Sequence, residues 1–169
     1  LLVKNDGEPA TPLNTAYALG LLAQTDIAAQ HIQNASNAAA IGAQAEMRSH
    51  LEHIVNIFEG MGGPRFGDHD GNGSAENPGD GFGVLGYSGQ IAVILSEQET
   101  VVETAASIQA QTAAIQDKCM EIQKLEDIEA AKVQLTELRQ MIDQFKTGPV
   151  ASLYQAAQDS MRFAVTPVE

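Results

Sequence analysis

The chain has 169 residues, 44% of them hydrophobic but only 18% charged, with a formal net charge of -13 at pH 7. That length supports one domain with a sizeable core rather than two full-sized ones. The acid excess disfavours nucleic acid and anionic membrane surfaces, no apolar run is long enough to span a bilayer, and the lone Cys119 excludes an internal disulfide or a cysteine-cluster metal site.

The sequence opens Leu1-Leu2-Val3 without Met, as a processed or truncated product would, and residues 1–11 read as an N-terminal arm rich in turn formers. Thr11-Pro12 has the form of a helix start, Thr as cap and Pro at the first helical position. Leu13, Tyr17, Gly20, Gln24, Ala28, His31 and Ala35 then recur every three or four residues, which predicts a helix loosening at Asn34–Asn37 and a hairpin turn near residues 36–42. A second helix carries Met47, His50, Ile54 and Ile57 on one face and stops at Gly60, where Gly-Met-Gly-Gly-Pro forbids continuation.

Residues 60–90 hold most of the fifteen glycines and show no helical period, so they are expected to form one long loop. Beyond Gly89 no Gly or Pro occurs until Gly148-Pro149. Ile94, Val101, Ile108, Ile115 and Ile122 stand seven apart, with Ala105, Thr112 and Cys119 between them, which predicts a third helix of about eight turns. The phase then changes to Ile128, Leu135, Ile142 and Ala131, Leu138, Phe145. A turn at residues 124–127 with Asp127 as cap explains this better than one helix through 90–146. Gly148-Pro149 is expected to end the fourth helix, followed by a short segment with Val150, Leu153, Tyr154, Ala157 and Met161 as its stripe. The expected fold is all-α. It is an up-down four-helix bundle in a single domain, with a broken last helix and the Gly-rich loop between two helical hairpins.

Within that loop, Asp68-His69-Asp70-Gly71-Asn72-Gly73-Ser74-Ala75-Glu76 places oxygen side chains at loop positions 1, 3 and 5, a glycine at position 6 and an acid at position 9. Over residues 68–80 it resembles a calcium loop of the EF-hand or dockerin kind. The resemblance implies Ca²⁺ held by Asp68, Asp70, Asn72, the Ser74 carbonyl and Glu76. Position 12 is Gly79 rather than the usual Glu, so Asp80 is expected to close the site. The remaining reading is a solvated acidic turn.

His50 and His53 share a helix face, and the hairpin sets His31 at the height of His50. The plainer expectation is hydrogen-bonded packing; the alternative is a transition metal or haem held between the helices. HEXXH, a paired Glu-x-x-His, CxxCH, GxSxG and P-loop patterns are absent. Gly81-Phe82-Gly83-Val84-Leu85-Gly86 lacks a preceding strand, so an enzyme is not expected. Residues 1–117 hold 14 acidic and 3 basic side chains, and residues 118–169 hold 8 and 6. Weakly charged helices suit coverage by a protein partner or a second copy. A loop without its closing Glu binds calcium weakly, which suits an extracytoplasmic setting, periplasmic, secreted or at the cell surface. The functional expectation is a calcium-stabilised structural or interaction module, with a metal or haem carrier as the alternative.

Overall fold

In a computed structural model that describes residues 9–162, all regular structure is helical. Residues 1–8 of the expected arm and the Met161 side chain lie outside the described residues. The first helix starts later than Pro12. Pro12–Asn14 make a single 3₁₀ turn in which Leu13 takes φ 55° and is 97% exposed, and Thr11 spends its hydroxyl on the Thr15 carbonyl. Helix α1 then runs Tyr17–Ala40, burying Tyr17, Leu21, Gln24, Ala28, Ile32 and Ala35. It does not loosen at Asn34–Asn37. Gln30 and Gln33 donate to the Asn34 and Asn37 carbonyl oxygens four residues on, pairs that support a helix surface.

A tight turn through Gly42 leads into α2, Gln44–Glu59, which ends where Gly60 takes φ 85°. Residues 54–60 are buried all round, because α1 and later helices cover one side and the Gly-rich loop wraps the other. That loop is shorter than expected. Residues 83–94, placed partly in the loop by their glycines, form α3, Gly83–Ile94. Gly60 and Gly83 are the reason the chain can pass so closely there: both have positive φ, and a Cβ on Gly83 would lie 2.6 Å from the Gly60 Cα.

The expected third helix is broken. Leu95–Gln98 turn the chain, and α4 spans Glu99–Gln123. The heptad seam therefore begins at Val101; Ile108, Thr112, Ile115, Cys119 and Ile122 are buried, while Ile94 is 51% exposed. The turn at 124–127 is present, with the Asp127 carboxylate accepting from the Glu129 amide at 2.9 Å. Gln44 and Arg48 of α2 both donate to the Leu125 carbonyl and tie this turn to the opposite side.

Helix α5, Ile128–Phe145, does not stop at Gly148-Pro149. Lys146–Val150 form a π-helical turn that carries the chain unbroken into α6, Ala151–Arg162. Pro149 has no N–H to give and lies inside this wide turn, where the chain departs from the α-helical ladder. Buried positions run Ala131, Leu135, Leu138, Ile142, Phe145, then skip to Val150, Leu153 and Ala157. Helix α1 packs on α2, α3, α5 and α6, and α4 packs on α2, α3, α5 and α6. Among the described residues no helix is long and apolar enough to cross a membrane.

Candidate metal centre

Two polar clusters sit on the face of α2 that the loop covers. The first joins the hairpin's histidines. His31 from α1 and His50 and His53 from α2 offer ring nitrogens that all lie within 4.8 Å of one another. The His31 and His50 Nδ1 atoms are 3.0 Å apart, and the His53 and His31 Nδ1 atoms 3.3 Å. Carboxylates stand on the far side of two rings: Glu76 Oε2 is 3.0 Å from His53 Nε2, and Glu46 Oε1 is 3.9 Å from His50 Nε2. The rings are half-buried, His53 meeting the other two edge to face and His31 tilted against His50, with centroids 4.8–5.7 Å apart. Burial foremost, and the neighbouring His53 and His50 rings next, lower the His31 pKa from 6.5 to about 4. Burial and His53 lower that of His50, against the pull of Glu46.

A neutral imidazole carries one N–H, so Nδ1 atoms this close can turn lone pairs toward a shared cation as well as hydrogen-bond to one another. Metal–nitrogen bonds of 2.0–2.1 Å in a tetrahedral site place ligand nitrogens about 3.3 Å apart, near the spacing seen here. Glu76, within hydrogen-bond distance of His53 Nε2, is placed to orient that ring as carboxylates do around metal-bound histidines, whereas Glu46 at 3.9 Å is beyond that distance from His50. Haem does not fit: rings in mutual contact leave no slot for a porphyrin between them.

The second cluster is acidic. Glu52, Asp68 and Asp70 bring carboxylate oxygens within 4.8 Å of one another. Glu52 is 1% exposed and acts as the keystone of the loop: one oxygen accepts from the His69 and Asp70 amides at 2.7 and 3.1 Å, the other from the Glu76 amide at 2.8 Å. Asn56, one turn on and fully buried, donates to the Gly67 and Glu76 carbonyls and accepts from the Gly67 amide, each at 2.9 Å. Asp68 takes the Gly71 and Gly73 amides, Asp70 takes the Asn72 amide, and Asn72 takes the Ser74 amide, so the loop coils inward around its acidic side chains.

Of the six residues expected to hold calcium, Asp68 and Asp70 come together, and Asn72 reaches Asp70 through its side-chain amide at 3.0 Å. Glu76 turns instead to His53. Asp80 faces elsewhere: its carboxylate accepts from the Tyr87 hydroxyl and the Phe82 amide. This contact and burial raise the tyrosine pKa, burial being the larger cause. Glu52 is not among the residues that the loop pattern offers for calcium. The signal was present, since Glu52 and Asn56 are polar at a four-residue spacing amid Leu51, Ile54, Val55 and Phe58. Cys119 is buried, which pushes its thiol pKa up, and His69 is occupied by the Arg65 carbonyl at 2.8 Å. Comparison with known proteins finds no matching family model, no matching curated protein and no matching solved structure.

Proposed function

We propose that this chain is a transition-metal-binding helical protein, taking zinc or a comparable borderline ion on Nδ1 of His31, His50 and His53. The observation that carries the reading is the convergence of three Nδ1 atoms at 3.0 and 3.3 Å with a carboxylate fixing the far nitrogen of His53. Imidazole sets of this kind suit zinc, copper, iron and nickel rather than calcium. The test is zinc binding followed by calorimetry and elemental analysis of chelator-treated, reloaded protein. One ion per chain is expected for the wild type, and none retained by His50→Gln, whose amide is a poor substitute for imidazole. Folding of the variant is checked by circular dichroism. Wild type that retains no ion, or a variant that retains as much, overturns the reading.

A second reading, a calcium-stapled module acting outside the cytoplasm, is supported by a specific feature. Glu52 of α2 and the loop's Asp68 and Asp70 concentrate negative charge where few apolar side chains order the loop, and a hard cation would offset both costs. On this reading the staple ties the first hairpin to the later helices of an up-down bundle. Added Ca²⁺ then raises the thermal midpoint of the wild type but not of Asp70→Ala; equal stabilisation of both removes it.

A further inference from the structure

We infer that the metal centre of His31, His50 and His53 is an open one, leaving a coordination position for a water molecule or a small monoanion. This rests on the three-histidine reading and extends it from holding a metal to exchanging a ligand there. Metal sites that only brace a fold close their tetrahedron with four protein ligands, whereas sites with three keep the fourth position for water or substrate.

Three sets of observations place this centre in the second class. No fourth His, Cys, Asp or Glu joins the group among the described residues. The nearest candidates are committed elsewhere. Glu76 stands 3.0 Å from His53 Nε2, on the opposite side of that ring from the converging Nδ1 atoms, and Glu46 is likewise on the Nε2 side of His50 at 3.9 Å. His69 faces the Arg65 carbonyl, and Cys119 is sealed in the core on α4.

The cluster is also reachable. The His50 and His53 side chains keep 18% and 14% of their surface in contact with solvent. Open clefts border it on two sides, at the Nε2 edges of His50 and His53, one lined by Asn34, Asn37, Ile41, Glu46 and His50, the other by His53, Glu76, Asn77 and Pro78. In the first cleft, the Asn34 and Asn37 carbonyl oxygens accept from Gln30 and Gln33, which leaves amide N–H groups as donors for an incoming ligand. Glu46, 62% exposed in the same cleft, is a like charge to any anion, so the ligand class is water or a small, singly charged anion rather than a phosphate or a dicarboxylate.

Cobalt(II) makes the coordination visible. Chelator-treated protein is titrated with Co²⁺ while the visible absorption is recorded, and azide is then added, with cobalt and azide in buffer as the blank. A saturable band at one cobalt per chain is expected, absent from His50→Gln. Azide should then change its shape and intensity to a saturating end point, as azide replaces the water ligand. A band that azide leaves unchanged, up to concentrations that shift the blank, overturns the open-site inference while the three-histidine reading stands. Failure of the wild type to develop any cobalt band removes the three-histidine reading itself, and this inference with it.

Discussion

Asn56→Asp changes no side-chain volume and no helix bond, yet it strikes the point where the loop is tied at both ends. In the wild type the fully buried Nδ2 group bridges the Gly67 and Glu76 carbonyls, each at 2.9 Å. The carboxylate keeps the bond from the Gly67 amide but sets an oxygen against two carbonyl oxygens. The carboxylate oxygen that replaces Nδ2 at this fully buried position has no donor, a buried polar group left unmet costs about 1–3 kcal/mol, and no cavity term is added because the two side chains are isosteric. The new charge also falls beside Glu52, whose Oε1 is 3.5 Å from Asn56 Nδ2. Protonation of the new acid restores one donor and caps the loss. The sum is a destabilisation of about 2–5 kcal/mol, within the range typical of a broken buried network. Urea unfolding followed by far-ultraviolet circular dichroism measures it; with a slope of about 1–3 kcal/mol per molar, the midpoint should drop by at least about 0.7 M. Helix content before the transition should stay unchanged, since the helices' own hydrogen bonds are not touched. A midpoint within about 0.3 M of the wild type refutes the assignment of Asn56 as anchor.

Two glycines should respond oppositely to alanine, again by urea midpoint. A Cβ on Gly20 would lie 2.2 Å from the ring of Tyr87, whose hydroxyl is held by Asp80, so Gly20→Ala should cost about 1–3 kcal/mol despite its better helix propensity. Gly89 is exposed with nothing within 4 Å of its added Cβ, and Gly89→Ala should stabilise by about 0.5–1 kcal/mol; equal signs at the two sites would contradict the packing described. In metal-free protein, His31 stays neutral down to about pH 4, whereas the unfolded chain takes up that proton below 6.5. The unfolded state binds more protons in that window, so stability should fall as pH drops from 6.5 to about 4 and level off below it. His31→Gln should lack that component of the slope, and parallel stability curves for the two proteins would show that the ring is not held neutral.

Much of the fold was legible because burial imposes a period. Ile108, Ile115, Ile122, Leu135 and Ile142 all occupy the core that their spacing announced. What escaped was structure set by contacts across the chain. Gly83, Gly86 and Gly89 look like loop residues, yet α3 forms because Val84, Tyr87 and Ile91 bury against the core. The break at Leu95–Gln98 contains neither Gly nor Pro, so nothing local marked it. At the site, histidine spacing did indicate a cluster, but not which nitrogens converge, because that depends on Glu76 arriving from the loop. The calcium motif showed its own Asp68 and Asp70 but not Glu52, which lies on a helix in a different segment.

The π-helical turn at Lys146–Val150 has a consequence for the length of the chain itself. An α-helix rotates about 100° per residue, and the wide turn absorbs one extra residue so that the later side chains keep their direction. Phe145 and Val150 are five apart and both buried, a spacing a regular helix would not align. Deleting one residue within 146–149 would make that spacing four, and continuous α-helix would then hold Val150, Leu153 and Ala157 on the same core-facing seam as Leu138, Ile142 and Phe145. The terminal helix is thus one residue longer than its packing requires, and the wide turn is where that residue is stored.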